Sequence, residues 1–238
     1  MKWYIPREHG AWAMLVVPYW IGAFESGVQW LHLVLFIGLF AIYFAQAPLL
    51  TYIRNRKYKD VWPSFFTYLA IGCLFTIPIL FLHPIILIIC LLIFPLFMVN
   101  LFFAKIKRER LFINDFVAIA ALSSLLFLSY SLTGSSIDET SIQLWMLCIL
   151  FFTASVFHVK SLIREKGNRL FHRTSFIYHL IIVLVATLIH WYGAAIVFLL
   201  TFLKTVFVPK KYVQKPIQIG TIEIVNSTVF FIIIVLFR

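Results

Sequence analysis

The sequence predicts an all-α fold, a polytopic transmembrane helix bundle of about nine spans, and three observations predict it. Of the 238 residues, 63% are hydrophobic and 12% charged, against about 25% charged in a soluble domain. The apolar residues fall into runs long enough to cross a bilayer, which takes roughly 20 residues each. Basic residues cluster in alternate gaps between those runs, the bias that orients membrane helices.

The spans read as His9–Phe24, Leu31–Tyr52, Phe65–Leu82, Pro84–Ala104, Phe112–Leu132, Ile142–Val159, Ser175–Ile189, Tyr192–Phe207 and Gly220–Phe237. Spans three and four are divided only by Leu82-His83-Pro84, and seven and eight only near His190-Trp191-Tyr192. Each of these pairs is too long for one helix across a hydrocarbon core of about 30 Å, so each reads as a tight hairpin. Little chain is left for a soluble domain, and residues 1–238 read as a single transmembrane domain. Lys2, Arg7 and Glu8 precede the first run, which lacks a small-residue cleavage site and reads as a permanent span.

On nine spans, every Lys and Arg except Arg238 falls on one side. The opposite loops hold Glu25, Asp138 and Glu139. Removing one span would invert every later loop and destroy this segregation. The topology therefore reads as N-terminus cytoplasmic and C-terminus outside. Trp30, Trp145 and Trp191 mark the outer interface, and Trp3, Tyr58, Trp62 and Tyr212 the inner one.

The net charge of +11 does not indicate nucleic acid. The basic residues sit in short clusters beside apolar spans rather than on a polar face studded with aromatics. That pattern fits the anionic headgroups of a lipid bilayer. Cys73, Cys90 and Cys148 lie in apolar runs without a C-x-x-C pair and read as small hydrophobes. No H-x-x-x-H or C-x-x-C-H motif supports haem or another metal.

Arg-Glu recurs at the basic side as Arg7-Glu8, Arg108-Glu109 and Arg164-Glu165. Adjacent helical residues do not face each other, so each Glu is expected to meet an Arg from another helix. Two readings stand: an interhelical ion network that ties the helix ends, and an anion-binding mouth of Arg forks. Deeper polar residues are Gln46, Asn100, Asn114, Asp115, His158, Lys160, Glu223 and Asn226. Charge within a span is costly, which makes such residues functional candidates. His158, Ser161 and Glu165 are expected to share one helix face, with a structural hydrogen bond as the role of His158. The candidate ligand-binding set is Arg7, Glu8, His9, Arg54, Arg108, Glu109, His158, Arg164 and Glu165.

An offset of 110 residues aligns Ile53-Arg54 with Ile163-Arg164, Phe66 with Phe176 and Tyr68 with Tyr178. A 4+4 parallel repeat plus one span would follow, with a site between the halves.

The opening Pro6-Arg7-Glu8-His9-Gly10-Ala11-Trp12-Ala13-Met14, with the later Arg164-Glu165-Lys166-Gly167-Asn168, resembles the YwiC-like family of bacterial membrane proteins over essentially the whole chain. The resemblance implies a multi-pass protein of the bacterial cell membrane and carries no reaction with it. The arrangement of nine spans, with inner loops after spans two and six, is also similar to that of UbiA-type intramembrane prenyltransferases. The run Ala104-Lys105-Ile106-Lys107-Arg108 is placed like a basic stretch of that superfamily. Those enzymes hold Mg²⁺ on Asp-rich motifs after spans two and six. Here no acid lies between Glu25 and Asp60, and only Glu165 follows span six. Hard cations need carboxylate oxygens, so that chemistry does not carry over.

Three functions fit this reading. The first is a basic, cytoplasm-facing cavity for an anionic amphipathic small molecule, such as a lipid or isoprenoid. The second is a small-anion transporter, suggested by Pro18, Pro48, Pro78 and Pro95 within spans and weakened by the lack of a paired acidic relay. The third is a noncatalytic membrane assembly partner.

Overall fold

A computed structural model describes residues 3–6, 9–208 and 215–237. Arg7, Glu8 and Tyr212 lie outside the described residues. The order is α1 (His9–Ser26), α2 (Trp30–Arg54), α3 (Trp62–Leu82), α4 (Pro84–Lys105), α5 (Phe112–Ser123), α6 (Leu125–Ser131), α7 (Glu139–Ile163), α8 (Arg169–Leu188), α9 (Tyr192–Phe207) and α10 (Pro216–Leu236). A short 3-10 turn at Lys59–Val61 leads into α3. Among the described residues there is no strand.

These elements match the expected spans to within about four residues at each end, except that α8 begins at Arg169, six residues before the expected Ser175. His83 alone separates α3 from α4, and Pro84, lacking an N–H, opens the second helix. The α8–α9 turn puts His190 at φ 63°, the left-handed region that reverses a chain in few residues. The fifth span breaks at Ser124, whose Oγ turns back to the Ala120 carbonyl at 2.7 Å and accepts from Trp145 Nε1 at 3.1 Å.

Seven helices are long and apolar enough to cross a membrane: Trp30–Arg54, Lys59–Leu82, Pro84–Lys105, Phe112–Ser131, Glu139–Ile163, Arg169–Leu188 and Ile217–Leu236. The other two expected spans are α9, apolar but only 16 residues long, and α1, which carries His9, Glu25 and three rings with polar tips. Apolar side chains point outward along the long helices: Phe81 is 82% exposed, Leu188 75% and Leu92 72%. A water-soluble surface rarely gathers such patches, whereas lipid tails cover them at no cost.

The described chain forms two compact units. One contains residues 18–145 with the N-terminal segment, and the other residues 9–17 and 146–238. The divisions fall inside α1 and α7, whereas the 4+4 repeat places its boundary between α4 and α5.

In the first unit, α2 and α3 are bound by small residues. A Cβ at Gly38 would strike Thr76 and Phe75, and one at Gly72 would strike Ile42, so the two backbones approach closely. Aromatic rings continue the seam through Phe44–Tyr68 at 5.6 Å and Tyr52–Trp62 at 4.8 Å. Gly22 of α1 lies against the Leu126 carbonyl and Ser129 of α6. Beside it, Tyr19 Oη donates to the His32 carbonyl at 2.6 Å. The fully buried His32 ring accepts the Gln29 N–H at Nδ1 (2.9 Å), which leaves Nε2–H to donate to the Ser129 carbonyl at 3.0 Å.

In the second unit, the Phe151 ring of α7 stacks on Phe230 of α10, with centroids 4.1 Å apart, 4° between planes, and both rings inaccessible. Tyr178 Oη of α8 donates to the Leu150 carbonyl at 3.0 Å. Gly193 lets the start of α9 approach the Phe237 backbone.

Two substitutions test this packing. Gly22→Ala drives a methyl into a backbone carbonyl and is expected to destabilise by about 1–3 kcal/mol. Gly10→Ala, with nothing among the described residues within 4 Å of its Cβ, should not. Thermal unfolding of both variants in one detergent checks the contrast. The second test concerns the start of α7, where Asp138 Oδ1 accepts the Ser141 N–H at 2.8 Å and Oδ2 accepts from Tyr130 Oη at 2.9 Å. The Ser141 N–H is the main cause holding the Asp138 carboxyl below its ordinary 3.8. Its stabilisation is therefore complete above that value and lost as pH falls through the lower folded value. Asp138→Asn, an equivalent cap, should keep stability at neutral pH and lose this part of the acid sensitivity in unfolding scans.

Candidate functional site

Two places gather polar chemistry. The first is the basic end of the first unit, where α2 and α4 finish and α3 and α5 begin. Arg54, the last residue of α2, forks onto Glu109 in the α4–α5 turn. Its Nε donates to Oε1 at 2.8 Å and to Oε2 at 3.0 Å, and its Nη2 pairs with Oε2. Asn114 Nδ2 holds the Glu109 carbonyl at 3.0 Å. This is the interhelical pairing expected of the Arg-Glu dipeptides. With the two side chains 47% and 26% exposed, it contributes at most about 1 kcal/mol, so it orients the turn more than it stabilises the fold.

Beside this pair lies a groove of about 370 Å³ lined by Tyr52, Ile53, Arg56, Leu101, Phe102 and Lys105. Its walls come from the last turns of α2 and α4, and its charge from Arg56 and Lys105. Neither cation was in the expected set, although both stand in the basic runs that the sequence displays. Nearby, Tyr4 Oη donates to Asp60 Oδ2 at 2.6 Å, and Trp3 packs 5.8 Å from Tyr68. That hydrogen bond is the main cause raising the Tyr4 phenol to about 12.

The second place lies inside the second unit. Glu223, eight residues into α10 and 4% exposed, receives donors from two other helices. Lys204 Nζ of α9 meets Oε1 at 2.7 Å, and Ser155 Oγ of α7 donates to Oε2 at 2.7 Å. His158 Nε2 stands 3.8 Å from Oε1. The His158 side chain is 1% exposed, and among the described residues neither ring nitrogen has a hydrogen-bond partner. On α8, His179 sets Nδ1 2.7 Å from the Ser175 carbonyl and Nε2 3.2 Å from Thr205 Oγ1 of α9. One turn deeper, Thr201 and Asn226 join α9 to α10.

The expected residues are thus distributed unevenly. Arg54 and Glu109 meet, while Arg108 and Arg164 are exposed. His9 opens α1, and its side chain is not among those described. The structural hydrogen bond expected of His158 is not found among the described residues. Glu165 does not share its face either, because α7 ends at Ile163. Glu165 instead accepts from Asn168 Nδ2 at 2.8 Å, while Asn168 Oδ1 caps α8 by accepting the Phe171 N–H. Arg164-Glu165-Lys166-Gly167-Asn168 is therefore a helix stop and start. Glu223 and Lys160 are among the intramembrane polar residues that the sequence displays, whereas the role of Lys204 appears only when α9 is laid against α10.

The fold defines a multi-pass helical membrane protein with a basic end and a buried ionic cluster. The chain belongs to the YwiC-like family: the model described as "YwiC-like protein" matches residues 5–130. It is 31% identical to the Bacillus subtilis protein described as "Uncharacterized protein YwiC", over 100% of this chain and 99% of that one. It is 28% identical to an "Uncharacterized protein" of Haemophilus influenzae, over 98% of each. No solved structure matches the chain, and nothing in these comparisons supports the architectural likeness to UbiA-type prenyltransferases.

Proposed function

We propose that this protein binds an anionic amphipathic lipid at its basic end, with the apolar chain along the α2–α4 groove and the headgroup on Arg56 and Lys105. The groove carries the reading. Tyr52, Ile53, Leu101 and Phe102 offer an apolar wall, and both cations line the same groove. The Arg54–Glu109 fork braces the turn beside it. Basic residues next to an apolar surface recognise lipid phosphate by charge while the chain stays in hydrocarbon.

In this reading all nine apolar helical segments cross the cell membrane, with the basic ends in the cytoplasm, the N-terminus inside and the C-terminus outside. The short α9 spans about 24 Å and is accommodated by local thinning of the bilayer.

Native mass spectrometry of the gently extracted protein, followed by identification of the retained lipids, tests both charges of the groove. Arg56→Gln or Lys105→Gln should each weaken retention of an anionic lipid about fivefold, and the pair about 25-fold, at about 1 kcal/mol per cation. Retention unchanged in the double variant would overturn the reading and favour transport or assembly. A C-terminal reporter active only outside the cytoplasm checks the orientation independently.

A further inference from the structure

The buried cluster of the second unit has chemistry that lipid binding at the other unit's groove does not use. Lys204 and Glu223 are both removed from solvent, and the cost of desolvating two charges is recovered only with excellent geometry. Their 2.7 Å contact and the Ser155 donor provide that geometry. His158 is the anomaly. It is a buried imidazole with no hydrogen-bond partner among the described residues, turned toward the same carboxylate at 3.8 Å. A buried donor and acceptor left unpaired are costly, and a second arrangement in which one ring N–H meets Glu223 removes part of that cost.

We propose that His158, Lys204 and Glu223 form a membrane-embedded proton-binding site in which the Glu223 carboxylate is held alternately by the Lys204 ammonium and by protonated His158. In the arrangement described here, Lys204 occupies Oε1 and His158 is neutral. In the other, a proton from water adds to a ring nitrogen of His158, and the new N–H⁺ pairs with Glu223. Lys204 then leaves the carboxylate.

Two features make the exchange feasible. Lys204 lies one turn from the end of α9 at Phe207, so its amine can snorkel to the headgroups once released. Because one positive charge leaves as another arrives, the buried cluster keeps its net charge and no uncompensated ion is stranded. A proton also needs no cavity to bind.

The surrounding groups are consistent with this exchange. From α8, His179 is occupied by Ser175 and Thr205. From α7, Ser155 holds the second carboxylate oxygen in both arrangements. Lys160 of α7 is buried with interactions of its own. From α9, Lys204 is the cation facing the carboxylate. Proton uptake is therefore linked to the pairing of α9 with α10, the kind of two-state element a proton-coupled membrane protein requires.

The test uses full-length protein in nanodiscs with ¹⁵N-labelled histidine rings, the His158 signals being assigned by their loss in His158→Asn. In the wild type, His158 should report a neutral ring at neutral pH. Lys204→Met should raise its protonation midpoint by about 1 pH unit or more, as an unshared carboxylate nearby does. Adding Glu223→Gln to Lys204→Met should abolish that rise. An imidazolium already present at neutral pH in the wild type would overturn the proposal. So would a midpoint indifferent to Lys204→Met, or a rise that survives Glu223→Gln. If Lys204→Met does not fold, Lys204→Gln keeps a donor at Glu223, removes the charge and is held to the same outcomes.

Discussion

Hydrocarbon offers no hydrogen bonds, and nearly every feature of this chain answers that constraint. Backbone N–H and C=O groups that meet lipid must pair within their own segment, so the described spans are helices. Hydroxyls follow the same rule. Thr51, Thr67, Thr76, Thr187, Thr201 and Thr228 each return a hydrogen bond to the carbonyl four residues back. Apart from Thr201, whose Oγ1 also meets Asn226 of α10, such a threonine presents little more than a methyl to its neighbours. Asn100 does likewise, donating to Leu96 O.

Where polar groups are not absorbed locally, they draw helices together. His32 joins the start of α2 to Ser129 of α6, and Glu223 joins α10 to α7 and α9. Association of such helices has no hydrophobic driving force, because lipid tails are as apolar as the side chains. Close contact and shared hydrogen bonds supply it instead. The glycines at 22, 38, 72 and 193 mark the close contacts, and the buried His, Ser and Glu side chains mark the shared bonds. Burial follows this division: α7 is buried along much of its length, whereas α4 leaves most of its surface exposed.

The two polar centres differ in how far the sequence exposes them. That Glu109 pairs away from Arg108 was legible because adjacent residues on a helix do not face each other, but that its partner is Arg54 was not. Arg56 and Lys105 stood in visible basic clusters, but which cations in a cluster border a groove depends on how α2 and α4 lie together. His158 and Glu223 were visible as costly intramembrane groups. That they meet was not, since 65 residues of chain separate them and helical periodicity says nothing about partners at that distance.

The sequence by itself determined the class and the approximate positions of the helices, because hydropathy and the need to satisfy the backbone in lipid are local and act over single turns. Apolar runs and His83-Pro84 mark boundaries wherever the chain finally packs, whereas the start of α8 at the Asn168 cap, six residues before the expected Ser175, came from the structure. Only the tertiary structure decided which polar groups share a site. Pairing in lipid depends on side-chain shape at a few close approaches, such as Gly38 against Gly72, and on the rotation of each helix about its axis. A uniformly apolar surface specifies that rotation weakly. It is settled when Glu223 finds Lys204 and Ser155, and when Phe230 stacks on Phe151.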